Sequence, residues 1–271
     1  MTTIRAFHTG HCSHPSCIAL KGSGLASRCF PSQAYLLETR KGLVLWDTGY
    51  ANHFMDASSK GVYRLYPAVT PVTFESRQSL VSQLKAQGIA YSDIHAIVLS
   101  HFHADHMAGL LDFPNARVYA SQIGWNTVRN KRGIAALRQA FLPGLVPGNI
   151  EQRMRFIESA PTVALPGELT PFESAHDILG NGDLLIVPLP GHAPGHLGAF
   201  VPTEKGWVLL ASDAAWAHEA YQELRGPSEL AFLVQDSRSQ YYETLARLQS
   251  LHIAGTARIE LTHVSTKGQV F

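Results

Sequence analysis

Short apolar runs rich in Val, Ile and Leu recur along the chain, each bounded by turn-forming or charged residues. Runs of four or five such residues are typical of buried strands. The pattern predicts strands over residues 34–38, 43–46, 96–99, 117–119, 184–187, 207–210 and 258–261. Helical patterns are fewer, which indicates a sheet protein with helices packed on its faces.

Two segments, residues 75–87 and 237–252, carry apolar side chains at helical spacing. The first ends at Gly88, a residue type that commonly terminates helices. The second opens with Ser237 and Gln240 at the spacing of a capping box. We interpret the apolar positions as core-facing; they are Leu80, Val81 and Leu84 in the first helix and Tyr241, Leu245, Leu248 and Leu251 in the second.

Two long segments, residues 50–74 and 121–158, fit neither period and contain several Gly or Pro residues. Long irregular segments in compact domains are usually functional or disordered. We expect ordered excursions that cover a site, a loop over residues 50–74 and a helical insertion over residues 121–158. Because the sequence shows no repeat or linker, we expect one domain over residues 1–271.

The composition narrows the class of protein. Of 271 residues, 45% are hydrophobic and 16% are charged, and 22 basic residues oppose 21 acidic ones for a net charge of +1. This balance gives no broad electrostatic footprint for a polyanion, so we expect no nucleic-acid partner. No run approaches 18 apolar residues, so we expect no membrane partner.

Three cysteines, Cys12, Cys17 and Cys29, lie near the N-terminus. An odd number cannot all pair within one chain, which excludes a complete disulfide framework. The first residues show no apolar segment followed by a small-residue cleavage site. We therefore expect a cytoplasmic protein in a reducing compartment.

Histidine is unusually frequent, with 14 residues, and the densest group follows the apolar run at 96–99. His101 and His103 lie two positions apart in an extended segment, so their side chains point to the same side. Asp105 and His106 follow at a predicted turn into a helix. Four such side chains within six residues suit a pair of divalent ions.

Further metal-binding side chains follow other predicted strands, and loops at strand ends are ordinary places for a sheet scaffold to hold a reactive centre. These pairs of strand and side chain are 184–187 with His192 and His196, 207–210 with Asp213, and 258–261 with His263.

These motifs, in this order, resemble those of the metallo-β-lactamase fold hydrolases. The match consists of His101-x-His103-x-Asp105-His106, then Pro-Gly-His-Ala-Pro-Gly-His at 190–196, then Asp213 and His263, preceded by Asp47-Thr48-Gly49. The resemblance covers about residues 4–263. It implies an α/β fold of the four-layer αββα type, with two mixed sheets face to face, helices outside and the metals at one rim.

The resemblance also implies two divalent ions per chain, zinc or alternatively iron, manganese or cobalt. The implied assignments are His101, His103 and His196 for one ion, Asp105, His106 and His263 for the other, and Asp213 as the bridge. His192 is the alternative to His196. Otherwise His192, like Asp47, is expected to support the ligands from behind.

The implied reaction is hydrolysis. Two adjacent divalent ions share a solvent molecule and lower its pKa toward neutrality, and they polarise the carbonyl of an ester, lactone or thioester. Asp105 is expected to orient the attacking hydroxide and to pass its proton to the leaving group.

Within the superfamily, the chain looks most like the acyl-homoserine lactonases. That branch commonly has a tyrosine three residues after the bridging aspartate, whereas this chain has Trp216, which offers one N–H donor and no phenol. The expected substrate is thus a small, partly apolar lactone or ester. The candidate pocket residues are Trp216, Trp125, Phe141, Phe54, Met55 and Tyr221, with His218 as a further donor.

Other functions remain open. A thioesterase like glyoxalase II suits the same ligands, although no glutathione-binding domain is apparent. A diiron redox protein usually has Glu at the position of His103 and carries a flavin domain. A non-catalytic effector that binds a small molecule often lacks some of the metal-binding residues. A homodimer is possible. The His- and Cys-rich residues 8–17 match no trusted zinc pattern and are expected to form a loop near the pocket.

Overall fold

The computed structural model describes residues 1–264, which form two β-sheets. The strands that build the first sheet are β1 (Thr3–Pro15), β2 (Ser27–Thr39), β3 (Gly42–Trp46), β4 (Val72–Thr73), β5 (Ile94–Val98), β6 (Arg117–Ala120) and β7 (Met154–Phe156). Their order across the sheet is β4-β1-β2-β3-β5-β6-β7. The central neighbours β3, β5 and β6 run parallel.

The second sheet has mostly antiparallel neighbours. Its strands are β8 (Thr162–Ala164), β9 (Ser174–Asp177), β10 (Leu185–Pro188), β11 (Leu197–Thr203), β12 (Gly206–Ser212) and β13 (Ala257–Leu261). Their order is β13-β12-β11-β10-β9-β8, and the edge strand β13 runs parallel to β12.

Nine α-helices surround the sheets within residues 1–264. They are α1 (Asn52–Ser58), α2 (Leu65–Val69), α3 (Leu80–Ala86), α4 (Ala104–Met107), α5 (Gln122–Val128), α6 (Gly133–Leu137), α7 (Ile150–Arg153), α8 (His218–Gln222) and α9 (Arg238–Ala254). None of these described helices has the length and apolar character needed to cross a bilayer.

The two sheets face each other across an apolar core. Trp46 and Val98 of the first sheet and Ile186 and Leu210 of the second belong to one buried cluster. Because side chains alternate along a strand, the neighbouring positions face outward. They pack against helices, which gives four layers, and the predicted αββα fold is confirmed.

The outer layers follow from the helical patterns of the sequence. Leu80 and Leu84 of α3 are buried against the first sheet, and the apolar face of α9 is buried against the second. Ser237 caps α9 by accepting a hydrogen bond from the backbone N–H of Gln240, and Gly255 ends it in the left-handed conformation with φ 66°. The helix α3 is shorter than predicted, because a 3-10 turn over Ser76–Gln78 precedes it.

All seven predicted strands lie in or overlap observed ones, but the sequence pattern missed others. Residues 8–17 do not form the expected loop, since β1 extends to Pro15 and pairs with β2, with His14 opposite Arg28. Polar and apolar positions mix in this part of β1, so no apolar run marks it. Pairing with β2 along its backbone holds the strand instead.

The two excursions are built from short helices. Residues 50–74 contain α1, α2 and β4, and residues 121–158 contain α5, α6, α7 and β7. They contact each other, because the hydroxyl of Tyr63 accepts a hydrogen bond of 2.9 Å from the backbone N–H of Gly133. Their buried side chains extend the core on the outer face of the first sheet.

Candidate metal centre

Strand ends deliver polar side chains to one edge of the sandwich. The carboxyl ends of parallel strands lie at the same edge of a sheet. The strands β3 and β5 are parallel neighbours in one sheet, and β12 and β13 are parallel neighbours in the other. Asp47, His101, Asp213 and His263 follow these four strands within a few residues.

Three imidazoles converge in a first cluster. The Nε2 atom of His192 lies 3.2 Å from Nε2 of His101 and 3.1 Å from Nδ1 of His103. It also lies 3.4 Å from Oδ2 of Asp213. Ring nitrogens this close to one another form a set of donors suited to a divalent cation.

A second cluster adjoins the first. Nε2 of His263 lies 3.4 Å from Oδ2 of Asp105 and 2.9 Å from Oδ2 of Asp213. Nε2 of His106 lies 3.2 Å from Oδ1 of Asp213 and 3.7 Å from Oδ2 of Asp105. Asp213 thus contacts both clusters: its Oδ2 atom lies near His192 and His263, and its Oδ1 atom lies near His106.

Hydrogen bonds behind the rings set their orientation. Nδ1 of His101 lies 2.9 Å from the hydroxyl of Ser100, and Nδ1 of His263 donates to the carbonyl of Pro31 at 2.7 Å. Nδ1 of His106 lies 2.8 Å from Oδ2 of Asp47. Because each Nδ1 has a partner, the Nε2 atom of each ring points into the centre, which is the arrangement typical of metal-binding histidines.

Asp47 anchors the histidine motif from the end of β3. Its carboxylate accepts hydrogen bonds of 2.7 Å from both the backbone N–H and the hydroxyl of Ser100, in addition to its contact with His106. Its backbone has φ 58°, a left-handed conformation that is costly for a residue other than glycine. Asp47 therefore lies behind the two clusters and fixes residues of the motif.

The next two residues, Thr48 and Gly49, hold the same loop in place. The backbone N–H and hydroxyl of Thr48 both donate to the carbonyl of His106, at 2.8 and 2.9 Å. Gly49 has φ 64°, and a Cβ atom at this position would lie 1.9 Å from Oγ1 of Thr9. The Asp-Thr-Gly sequence is thus required by hydrogen bonding at its first two positions and by space at the third.

His196 lies outside both clusters. Its Nδ1 donates to the carbonyl of Leu189 at 2.9 Å, and its Nε2 accepts from the backbone N–H of Asp213 at 3.2 Å. Both ring nitrogens are therefore occupied by protein groups, and no metal-competent group within residues 1–264 includes His196. The structure thus brings His192, and not His196, next to His101 and His103.

The different positions of these two rings have a local cause in the turn between β10 and β11. The backbone N–H of Leu189 donates to the carbonyl of His196, so His196 already belongs to the paired region and its ring lies beside the neighbouring strand. His192 lies at the turn itself, beyond the strand pairing, where its ring reaches the centre. A spacing of four residues in the sequence does not distinguish these positions.

The start of α9 holds the His192 turn in place. The backbone N–H groups of Asp236 and Ser237 donate to the carbonyls of His192 and Gly191, at 3.1 and 3.0 Å. Gly191 has φ 122°, and a Cβ atom there would lie 2.2 Å from the backbone nitrogen of Tyr241. Residues 236–237 and the turn are therefore in direct main-chain contact.

Burial and mutual proximity control the charges of the centre. Burial, followed by the neighbouring histidines, holds the pKa of His101 well below its usual range, and burial lowers the pKa of His103 to about 4. Burial opposes ionisation of Asp213, but His263 and His106 outweigh it and hold the pKa of this carboxyl well below its usual range. The rings of His101 and His103 are thus held neutral, the state that binds metals, whereas Asp213 and Asp105 outweigh burial and raise the pKa of His106 and His263.

Unpartnered buried atoms test whether a metal ion fits. Nε2 of His106 and Oδ1 of Asp213 are both buried and have no hydrogen-bond partner within the described residues. Such atoms are costly to bury in isolation. They face each other at 3.2 Å, and a cation coordinated by both would satisfy them. The donor set therefore fits divalent metal ions.

Trp216 contacts two side chains of the candidate metal centre. Its indole Nε1–H donates to Oδ2 of Asp213 at 3.0 Å, and its ring lies edge to face with His192 at 5.5 Å between centroids. It also packs against a small cluster that includes Cys12 and Phe30 of the first sheet. The single donor of the indole is thus already used by the carboxylate.

A cavity of about 540 Å³ opens from the centre. His103 and His192 form its inner end. Its walls come from residues around α6 and from the segment that precedes α9, and they are Lys131, Ile134, Ala135, Arg138, Gln139, Pro194, Leu233, Val234, Gln235 and Asp236.

The expected pocket residues lie elsewhere, and none of them lines this cavity. Phe54, Trp125 and Phe141 are buried in the core outside the first sheet, and Met55 is 48% exposed. Tyr221 is buried in the core under α9, and its hydroxyl lies 2.9 Å from Nδ1 of His218.

A model of the metallo-beta-lactamase superfamily matches residues 27–254. The chain belongs to this superfamily. It is therefore a metal-dependent hydrolase by family, as the sequence motifs predicted, and the predicted resemblance is confirmed. Members of the superfamily bind metal ions, and the clusters of histidine and aspartate supply a set of ligands for them.

Relatives of this chain include proteins named as hydrolases and lactonases. A "Probable metallo-hydrolase" of Mycobacterium bovis is 30% identical over 252 residues, which cover 88% of this chain and 74% of the relative. An N-acyl homoserine lactonase of Azorhizobium caulinodans is 33% identical over 171 residues, which cover 62% of this chain and 60% of the relative.

Solved structures agree on the fold of this metallo-hydrolase. An N-acyl homoserine lactone hydrolase with N-hexanoyl-L-homoserine at its catalytic metal centre has a TM-score of 0.73 at 19% identity, covering 96% of this chain and 92% of that one. AidC, a dizinc quorum-quenching lactonase, has a TM-score of 0.68 at 15% identity, covering 98% and 89%.

The sequence analysis missed several side chains around the centre of this metallo-hydrolase. Ser100 binds both Asp47 and His101, yet a serine after a strand carries no signal of its own. Lys131 and Arg138 line the cavity. A run of cations without acids between residues 113 and 150 is visible in the sequence, and it could have indicated them.

Proposed function

We propose that this metallo-hydrolase opens a lactone or a related ester of a small, partly apolar substrate at a centre of two divalent ions. The observation that supports two ions is the position of Asp213, whose carboxylate adjoins both clusters, while one of its oxygens has no hydrogen-bond partner within residues 1–264. The lactonase names of several relatives support the substrate class.

The side chains that would hold the ions fall into two groups that share one carboxylate. The proposed groups are His101, His103 and His192 for one ion, Asp105, His106 and His263 for the other, and Asp213 for both. When bound, a pair of divalent ions supplies the Lewis acidity that activates water and polarises a carbonyl group.

The residues of the chain supply binding and proton transfer. Asp105 lies at the first turn of α4, with Oδ2 directed toward His263 and His106. From there its carboxylate accepts the proton of the attacking water and returns it to the departing alkoxide. His196 holds the backbone of Asp213, and Asp47 with Ser100 holds the motif, so that the reacting groups are positioned before substrate arrives.

Metal analysis tests the centre. Purified protein should contain close to two ions per chain, and Asp213→Asn should remove metal and activity together because the carboxylate contacts both clusters. His192→Ala should lose about one ion. His196→Gln is the matched control, since it alters a neighbouring histidine outside both clusters and should retain two. Full activity in protein without metal would contradict the proposal.

A substrate panel tests the reaction. γ-Lactones, aryl esters and thioesters of similar acyl length can be compared by following acid release in a pH-stat. We expect turnover of a lactone or an oxygen ester. Turnover of thioesters alone would contradict the lactonase proposal and favour a thioesterase.

A further inference from the structure

The cavity that opens from His103 and His192 has walls of unequal character. Its mouth is apolar, because Ile134, Leu233 and Val234 are all more than half exposed. One wall is basic and carries Lys131 and Arg138 on the segment around α6. The cavity therefore offers one environment to an acyl or aryl group and another to a charged group.

The two cations have no acidic partner of their own. Among the ion pairs formed within residues 1–264, none includes Lys131 or Arg138. The stretch 113–150 contains five cations and no Asp or Glu. Asp236 is the one carboxylate in the described lining, against the two cations. The cavity is thus locally basic in a chain whose net charge is only +1.

A polar group in the opposite wall is also without a partner. The side-chain amide of Gln235 has both Nε2 and Oε1 buried, and neither has a hydrogen-bond partner among the described residues. Buried amides normally have partners. A ligand with both a donor and an acceptor near Leu233 and Val234 would satisfy this one.

We infer that the substrate carries an oxyanion, a carboxylate or a phosphate, which Lys131 and Arg138 bind while the scissile ester lies at His103 and His192. This inference rests on the proposed function and adds a substrate class to it. Guanidinium and ammonium groups bind oxyanions through charge-assisted hydrogen bonds, and a nearby apolar rim strengthens them by excluding water. Gln235 then binds polar atoms between the two ends of the substrate.

Matched substrates test the inference. An aryl ester with a para-carboxylate and the same ester with a para-carboxamide differ in charge and little in shape. We expect wild-type protein to prefer the carboxylate by about tenfold in kcat/KM, through KM, and added salt to reduce this preference. A phosphate in place of the carboxylate distinguishes the two oxyanions.

Variants locate the effect. Lys131→Met and Arg138→Met combined should abolish the preference for the anionic ester, so that the two esters are hydrolysed with similar kcat/KM. Arg129→Met is the matched control, because Arg129 is an exposed cation of the same segment that does not line the cavity. Equal turnover of both esters, or a preference that persists in the double variant, would overturn the inference.

A binding measurement separates this inference from the proposed function. Two analogues in which an amide replaces the scissile ester, one with the para-carboxylate and one with the para-carboxamide, resist hydrolysis. Both can be titrated into the metal-loaded protein by calorimetry. If no ester is hydrolysed but the carboxylate amide still binds about tenfold more tightly, and the double variant loses this difference, the inference stands while the proposed function fails. Equal affinity for both amides would overturn the inference whatever is hydrolysed.

Discussion

The two ends of the cavity are built in different ways. At the inner end, His101 and His106 are almost completely buried, and each has a hydrogen-bond partner behind its ring. At the mouth, Leu233 is 78% exposed and Ile134 54% exposed. The first region is fixed by strands and the second by short helices and the segment before α9.

The inner end of the cavity depends on exact geometry more than the mouth does. A metal centre requires its donors to be held within a few tenths of an ångström, and buried hydrogen bonds at strand ends provide that precision. A cavity wall needs only a suitable shape and charge. We therefore expect substitutions at the inner end to cost stability and metal together, and substitutions at the mouth to change substrate preference alone.

The largest expected effect is on Phe54, which lies in neither region although the sequence predicted it in the pocket. Its ring is buried and contacts Tyr50 and Tyr66 edge to face. Phe54→Ala should lower the free energy of unfolding by about 3–5 kcal/mol, since it leaves a cavity in the core. Met55→Ala, at an exposed neighbour, is the control and should change it by less than about 0.5 kcal/mol. Chemical denaturation measures both, and equal effects would contradict this placement.

Substitution of Asp47 should have an intermediate effect on stability and metal affinity. Asp47→Ala removes the acceptor of Ser100 and His106 and leaves buried donors without partners. We expect a loss of about 1–3 kcal/mol in stability and a 10- to 100-fold lower metal affinity. Competition with a chelator measures the affinity. An unchanged affinity would show that the inner end does not depend on its supporting hydrogen bonds.

Trp216 should give the smallest effect, because only one hydrogen bond changes. Trp216→Phe keeps the aromatic contact with His192 but removes the N–H donated to Asp213. We expect metal affinity to fall by about tenfold. Trp207→Phe is the control, since this indole also donates to a carboxylate, that of Glu168, away from the centre. A loss of affinity in both variants would contradict a local role for Trp216.

Most side chains that meet at the inner end of the cavity could be found in the sequence, because their signals are chemical and local. Alternation along a strand brings His101 and His103 together, and an apolar run precedes each of Asp47, Asp213 and His263. The sequence does not show which of His192 and His196 lies beside His101 and His103, because this depends on which residue of the turn pairs with the neighbouring strand. That pairing is a property of the folded backbone.

The cavity wall could not be predicted in the same way. Aromatic residues in irregular segments were expected to line the pocket, but Phe54 and Phe141 cover the outer face of the first sheet instead. Burial of large rings in a core is favoured by the same hydrophobicity that suggests a pocket. The side chains that do line the cavity, such as Arg138 and Val234, belong to short segments with no periodic pattern.

The main-chain contact between the His192 turn and residues 236–237 separates two kinds of evolutionary change. The hydrogen bonds to the carbonyls of His192 and Gly191 come from backbone N–H groups, so any side chain other than proline can supply them. Point substitutions at Leu233, Val234 or Gln235 can therefore diversify substrate range without disturbing catalysis. An insertion or deletion in the same segment would displace the turn, so we expect natural variation here to occur in residue type rather than in length.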